Sequence, residues 1–115
     1  MRFVFIAFAF LATSAAAQRV DARLDCKYTG KDLIYDCVIR LSRGGEPLSG
    51  AQVSVGADMP SMPMAHSIKP VKARPGNKPG EYAARLDLEM QGEWAVKLRI
   101  SGPLRDQLVK KVRFD

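Results

Sequence analysis

Arg19-Val20-Asp21-Ala22-Arg23-Leu24-Asp25-Cys26-Lys27 alternates without a break. Val20, Ala22, Leu24 and Cys26 fall on one side, and the charged residues fall on the other. Successive side chains of an extended chain point to opposite faces, so this period of two is the pattern of a half-buried strand. Tyr28-Thr29-Gly30-Lys31-Asp32 reads as a turn. Beyond it, Leu33, Tyr35, Cys37, Ile39 and Leu41 alternate with Ile34, Asp36, Val38 and Arg40. The two stretches predict a hairpin. If Cys26 faces Cys37, the centre of the turn falls between Lys31 and Asp32. A disulfide there would staple the strands together and contribute on the order of 3 kcal/mol by closing a short loop.

The same alternation recurs along the chain. Residues 51–57 place Ala51, Val53, Val55 and Ala57 inward. Residues 67–71 read as a short edge strand, because Pro70 lacks an N–H and is tolerated at a sheet edge. Residues 81–89 place Tyr82, Ala84, Leu86 and Leu88 inward, and residues 93–101 place Trp94, Val96, Leu98 and Ile100 inward. Residues 107–114 close the series with Leu108, Lys110, Val112 and Phe114. The breaker-rich runs 42–50 and 74–80, Met90-Gln91-Gly92 and Gly102-Pro103 separate them. About seven short strands and no helical stripe predict an all-β domain, an immunoglobulin-like β-sandwich. A small barrel is the alternative. Tyr35, Tyr82 and Trp94 are expected in the core, with a tyrosine-corner role as the other reading of Tyr82.

The start of the chain reads as an address. Arg2 precedes the apolar run Phe3–Leu11, and Ala15-Ala16-Ala17 supplies a small-residue cleavage site. This is the pattern of a secretory signal peptide, residues 1–17, cut before Gln18. The apolar run is too short to span a bilayer. The expectation is one mature domain, 18–115, periplasmic or secreted, with no membrane anchor after processing. In an exported chain the cysteine pair favours a Cys26–Cys37 disulfide over metal binding. The mature part carries 17 basic and 12 acidic residues. That balance would suggest nucleic acid in a cytosolic protein. Export argues against a nucleic-acid partner and leaves a solvated basic face.

Asp58-Met59-Pro60-Ser61-Met62-Pro63-Met64-Ala65-His66 carries the chemistry. It holds three of the five methionines and the single histidine. Its prolines exclude a helix interior and a central strand, so it is expected to be a loop, extended in form. Thioether sulfur is a soft, neutral ligand suited to Cu(I) and, by the same softness, to Ag(I). It does not bind protons and does not form disulfides in an oxidising compartment. The imidazole of His66 holds either oxidation state of copper. In a polyproline-like conformation residues three apart share a face, which would align Met59 with Met62. Met59, Met62, Met64 and His66 are therefore the candidate metal ligands, with Asp58 as a further oxygen donor. The competing reading is that the methionines cap the core or dock on another protein. Met90 sits in a turn and reaches the loop only if the two share an end of the sandwich. No serine sits in a nucleophile elbow and no phosphate-binding glycine loop is present, so an enzyme is not expected.

These residues also carry a family resemblance. Gly56-Ala57-Asp58-Met59-Pro60-Ser61-Met62-Pro63-Met64-Ala65-His66, then Gly80-Glu81-Tyr82, then Gly92-Glu93-Trp94 resemble the YtkA-like domain, related to the FixH group of cytochrome oxidase assembly proteins. The resemblance spans nearly the whole mature chain. It implies an immunoglobulin-like sandwich outside the cytoplasmic membrane. It also implies copper handling, or a part in heavy-metal efflux or oxidase assembly. On this sequence its ligand set reaches Met59, Met62, Met64 and His66 only.

Overall fold

The computed structural model describes residues 19–62 and 66–115. The expected signal peptide, and Pro63, Met64 and Ala65 of the loop, lie outside the described residues. Among the described residues nine strands follow in order: β1 (Val20–Tyr28), β2 (Ile34–Arg43), β3 (Glu46–Pro47), β4 (Gln52–Asp58), β5 (Ser67–Lys72), β6 (Arg74–Pro75), β7 (Glu81–Asp87), β8 (Gly92–Ser101) and β9 (Asp106–Phe114). Seven are the strands expected from the alternation. The other two, β3 and β6, are two-residue pairings inside breaker-rich connections, where no periodicity can develop.

The strands form two antiparallel sheets. One has the order β1-β2-β7-β6, with β3 pairing β2; the other has the order β5-β4-β8-β9. The all-β sandwich is as expected. Its layers follow from the period of two, since each long strand has one apolar side to bury. Ile39, Leu41 and Leu86 from the first sheet meet Val53, Val55, Trp94, Val96, Leu98 and Ile100 from the second, and all are essentially solvent-free. Truncating one of these, as in Leu98→Ala, should cost about 2–5 kcal/mol, because the cavity adds to the lost transfer energy. No charged or polar residue is buried among the described residues.

The hairpin register places Cys26 opposite Cys37, and the two form a disulfide. The turn between them is centred on Lys31 and Asp32, with Asp32 at positive φ, a conformation aspartate tolerates. Strand β5 is an edge strand, as Pro70 requires. Between Val55 and Ala57 the register shifts, so Gly56 faces both Lys69 and Pro70. This is a bulge on the β5 side, and it absorbs the residue that cannot donate to the ladder.

Tyr35, Tyr82 and Trp94 are buried. The Tyr82 hydroxyl does more than fill space. It donates to the Leu48 carbonyl at 2.8 Å and accepts from the Ala51 N–H at 3.1 Å. It therefore latches the loop entering β4, more than thirty residues upstream, rather than turning a corner of its own strand.

Candidate metal centre

The loop after β4 is built by a strand that continues one step too far and a turn that stops it. Val53, Val55 and Ala57 face inward, and Met59 keeps that phase. It belongs to the core cluster at 5% exposure. Pro60 then ends the ladder. The Met62 N–H donates to the Met59 carbonyl at 3.0 Å, closing a β-turn with Pro60 at its second position. The His66 N–H donates to the Met62 carbonyl at 3.1 Å, and the Met59 N–H donates to the His66 carbonyl at 3.1 Å. Met59, Met62 and His66 are thus joined in one ring of backbone hydrogen bonds, and β5 leaves from it with Ser67 opposite Asp58.

Over Met59 to Met62 this corrects the expectation of an extended, polyproline-like loop. Proline fixes φ near −65°, which suits the second position of a tight turn as well as an extended chain. The backbones of Met59 and Met62 meet through that turn, not through a threefold repeat. Their side chains have different fates: Met59 is buried, while Met62 is 39% exposed. Met64 lies outside the described residues.

Asp58 is not brought into the group. It lies on the opposite phase of β4 from Met59, and its carboxylate pairs with Lys97 Nζ at 2.7 Å. The loop gains a different carboxylate. Nδ1 of His66 lies 3.1 Å from Oε2 of Glu89, in the turn between β7 and β8. That turn does share the end of the sandwich with the loop. The Met90 carbonyl accepts from Trp94 Nε1 at 3.0 Å, and the Met90 side chain stands 41% exposed rather than packed in the core. The sequence holds no local signal for the Glu89 contact, because 23 residues separate it from His66.

The donor chemistry at this end is soft. Among the described residues, no three His, Cys, Asp or Glu side chains are grouped closely enough to hold a metal ion. Both cysteines are consumed in the disulfide. This end of the sandwich carries instead the thioethers of Met59, Met62 and Met90, the His66 imidazole and the Glu89 carboxylate. A cleft of about 480 Å³ lies elsewhere, lined by residues of both signs such as Arg23, Arg40, Asp21 and Glu81. It contains none of the soft donors.

These features define an all-β sandwich domain with a soft-donor loop at one end. The YtkA-like family model matches residues 19–99, from the start of β1 into β8, and the chain belongs to that family. Comparison with curated proteins and with solved structures gives no match.

Proposed function

We propose that this chain is an exported protein that binds Cu(I), or a similar soft ion such as Ag(I), on the loop after β4. It serves as a carrier or buffer in metal homeostasis or efflux, periplasmic or secreted. The observation that carries this reading is the backbone ring that gathers Met59, Met62 and His66 at one end of the sandwich. Met62 and His66 offer donors at the surface, and Met64 lies between them in sequence. Met59 forms the inner wall. The turn holds much of this arrangement before any ion arrives, so less chain entropy is lost on binding. Thioethers suit an oxidising compartment, and the Cys26–Cys37 disulfide supports such a compartment. The protein holds the ion and passes it on, to an efflux or oxidase-assembly protein, without chemistry on it.

A second reading has its own support. Met59 is buried, so one of the three sulfurs already has a packing role. On this reading the domain is an accessory module, and exposed Met62 docks on an envelope or efflux complex. An anaerobic competition titration with Cu(I) separates the two. The mature chain is compared with a variant in which Met59, Met62 and Met64 are all leucine, which keeps volume and removes sulfur. Tight binding by the first and loss in the second support the metal site. Binding by neither leaves the docking reading.

A further inference from the structure

The β7–β8 turn is fixed by three contacts, two of them to the loop. Glu89 reaches the His66 ring at 3.1 Å. Gly92 backs onto Met59, whose Cε would lie 2.9 Å from a Cβ at that position. Trp94, wholly buried, donates its indole N–H to the Met90 carbonyl at 3.0 Å and so anchors the tip from beneath. Between these anchors the Met90 side chain projects into solvent. At 41% exposure, packing accounts for only part of this unbranched thioether's surface. It stands one residue beyond the carboxylate that holds the only histidine.

We propose that Glu89 and Met90 complete the site on the loop: Met90 supplies a further thioether ligand, and Glu89 is a positioning residue that selects the His66 tautomer. This rests on the soft-metal reading above. An ionised carboxylate only accepts hydrogen bonds, so across the 3.1 Å between Nδ1 and Oε2 the imidazole is the donor and its hydrogen sits on Nδ1. In the neutral ring the lone pair is then on Nε2, the nitrogen not engaged by Glu89, and that is the atom that would bind an ion. Carboxylate partners of ligating imidazoles act in this way, fixing ring orientation and raising ligand basicity. Met59 faces the core, so the described surface donors of the loop are Met62 and His66 alone. Met90 adds a sulfur from a second, independently anchored element. The ion would then bridge the two connections at this end of the sandwich.

The test uses the mature chain and three variants, Met90→Leu, Glu89→Ala and Glu89→Gln. Each is titrated anaerobically with Cu(I) against a competing chelator. The tautomer of His66 is read without metal from long-range proton–nitrogen correlations of the ring. Met90→Leu should weaken Cu(I) binding by about tenfold or more, and Glu89→Ala by about 10–100-fold. Glu89→Ala should also release the ring from the Nδ1–H tautomer, whereas Glu89→Gln keeps an acceptor and should retain it. Undiminished binding by Met90→Leu overturns the ligand role of Met90. An unchanged tautomer in Glu89→Ala overturns the role of Glu89. If the native chain binds no Cu(I), the copper reading fails and takes Met90 with it, while the tautomer measurement still decides what Glu89 does.

Discussion

Met59 seats its terminal methyl against the backbone of Gly92, where a Cβ would fall 2.9 Å from Met59 Cε. Two connections far apart in sequence are thereby packed together at one end of the sandwich. Gly92 also holds φ at +135°, a conformation side chains rarely adopt.

Gly92→Ala therefore meets two penalties, and their sizes differ. The Met59 methyl ends a flexible side chain and can swing away cheaply. The backbone conformation cannot be relieved without moving the turn, and strain of this kind costs about 1–3 kcal/mol. Gly92→Ala should lower stability by that amount in denaturant titrations, and most of the loss should persist in a Met59→Leu background. If Met59→Leu restored full stability, the methyl contact rather than the backbone would be the dominant constraint.

The disulfide acts on the neighbouring hairpin. Cys26 and Cys37 are eleven residues apart, and the cross-link closes a loop centred on the turn. Loop-closure entropy for so short a segment is about 2–3 kcal/mol. Unfolding the native chain with and without reductant should show a difference of that order. Equal midpoints would mean that strand pairing alone fixes the register, and that the cross-link leaves the unfolded chain no more restricted than before.

What the sequence reveals and what it hides separate along physical lines. Val20 to Cys26 and Tyr35 to Leu41 announce their strands because each buries one face, and burial imposes a period of two. The pairing of Cys26 with Cys37 follows from that period and the turn residues between. Met59 is harder to read, because Pro60 invites the strand to be ended at Ala57, although the inward phase runs one step further. Pro60 is also ambiguous in itself, since its fixed φ serves a tight turn and an extended chain alike. The His66–Glu89 contact depends on how β4, β5, β7 and β8 stack at one end, and nothing near either residue in the chain encodes that.

Asp36 and Arg85 show a pH effect whose direction is set by geometry. They are register partners across β2 and β7, with Arg85 Nε 2.8 Å and Nη2 3.3 Å from the two carboxylate oxygens. The hydrogen bond from Arg85 is the main cause holding the Asp36 carboxyl below its usual value, with the guanidinium charge adding to it. A carboxyl lowered in the folded state contributes stability above its unfolded value, and that contribution disappears as pH falls through the lowered one. Asp36→Asn should thus reduce stability slightly at neutral pH and not at all once the carboxyl is protonated in the native protein. Both groups are exposed, so the effect is small and should shrink further in high salt. A difference between native and variant that grew on acidification would contradict the pairing.

Tyr82 makes two hydrogen bonds that tie β7 to the loop before β4. Its hydroxyl donates to the Leu48 carbonyl and accepts from the Ala51 N–H, so Tyr82→Phe removes two hydrogen bonds and leaves a backbone donor with no replacement. Losing a partner from a partly buried group costs about 1–3 kcal/mol, more than the net value of the bond itself. Tyr35 provides the internal comparison. Its ring is equally buried, but its hydroxyl donates to the carbonyl of Asp115, an exposed residue where water can take its place. Tyr82→Phe should therefore destabilise the protein clearly more than Tyr35→Phe. It should also speed hydrogen exchange at the Ala51 amide while leaving the amides of β8 protected. Equal losses from the two substitutions would show that the latch on the loop before β4 contributes no more than the single Tyr35–Asp115 bond.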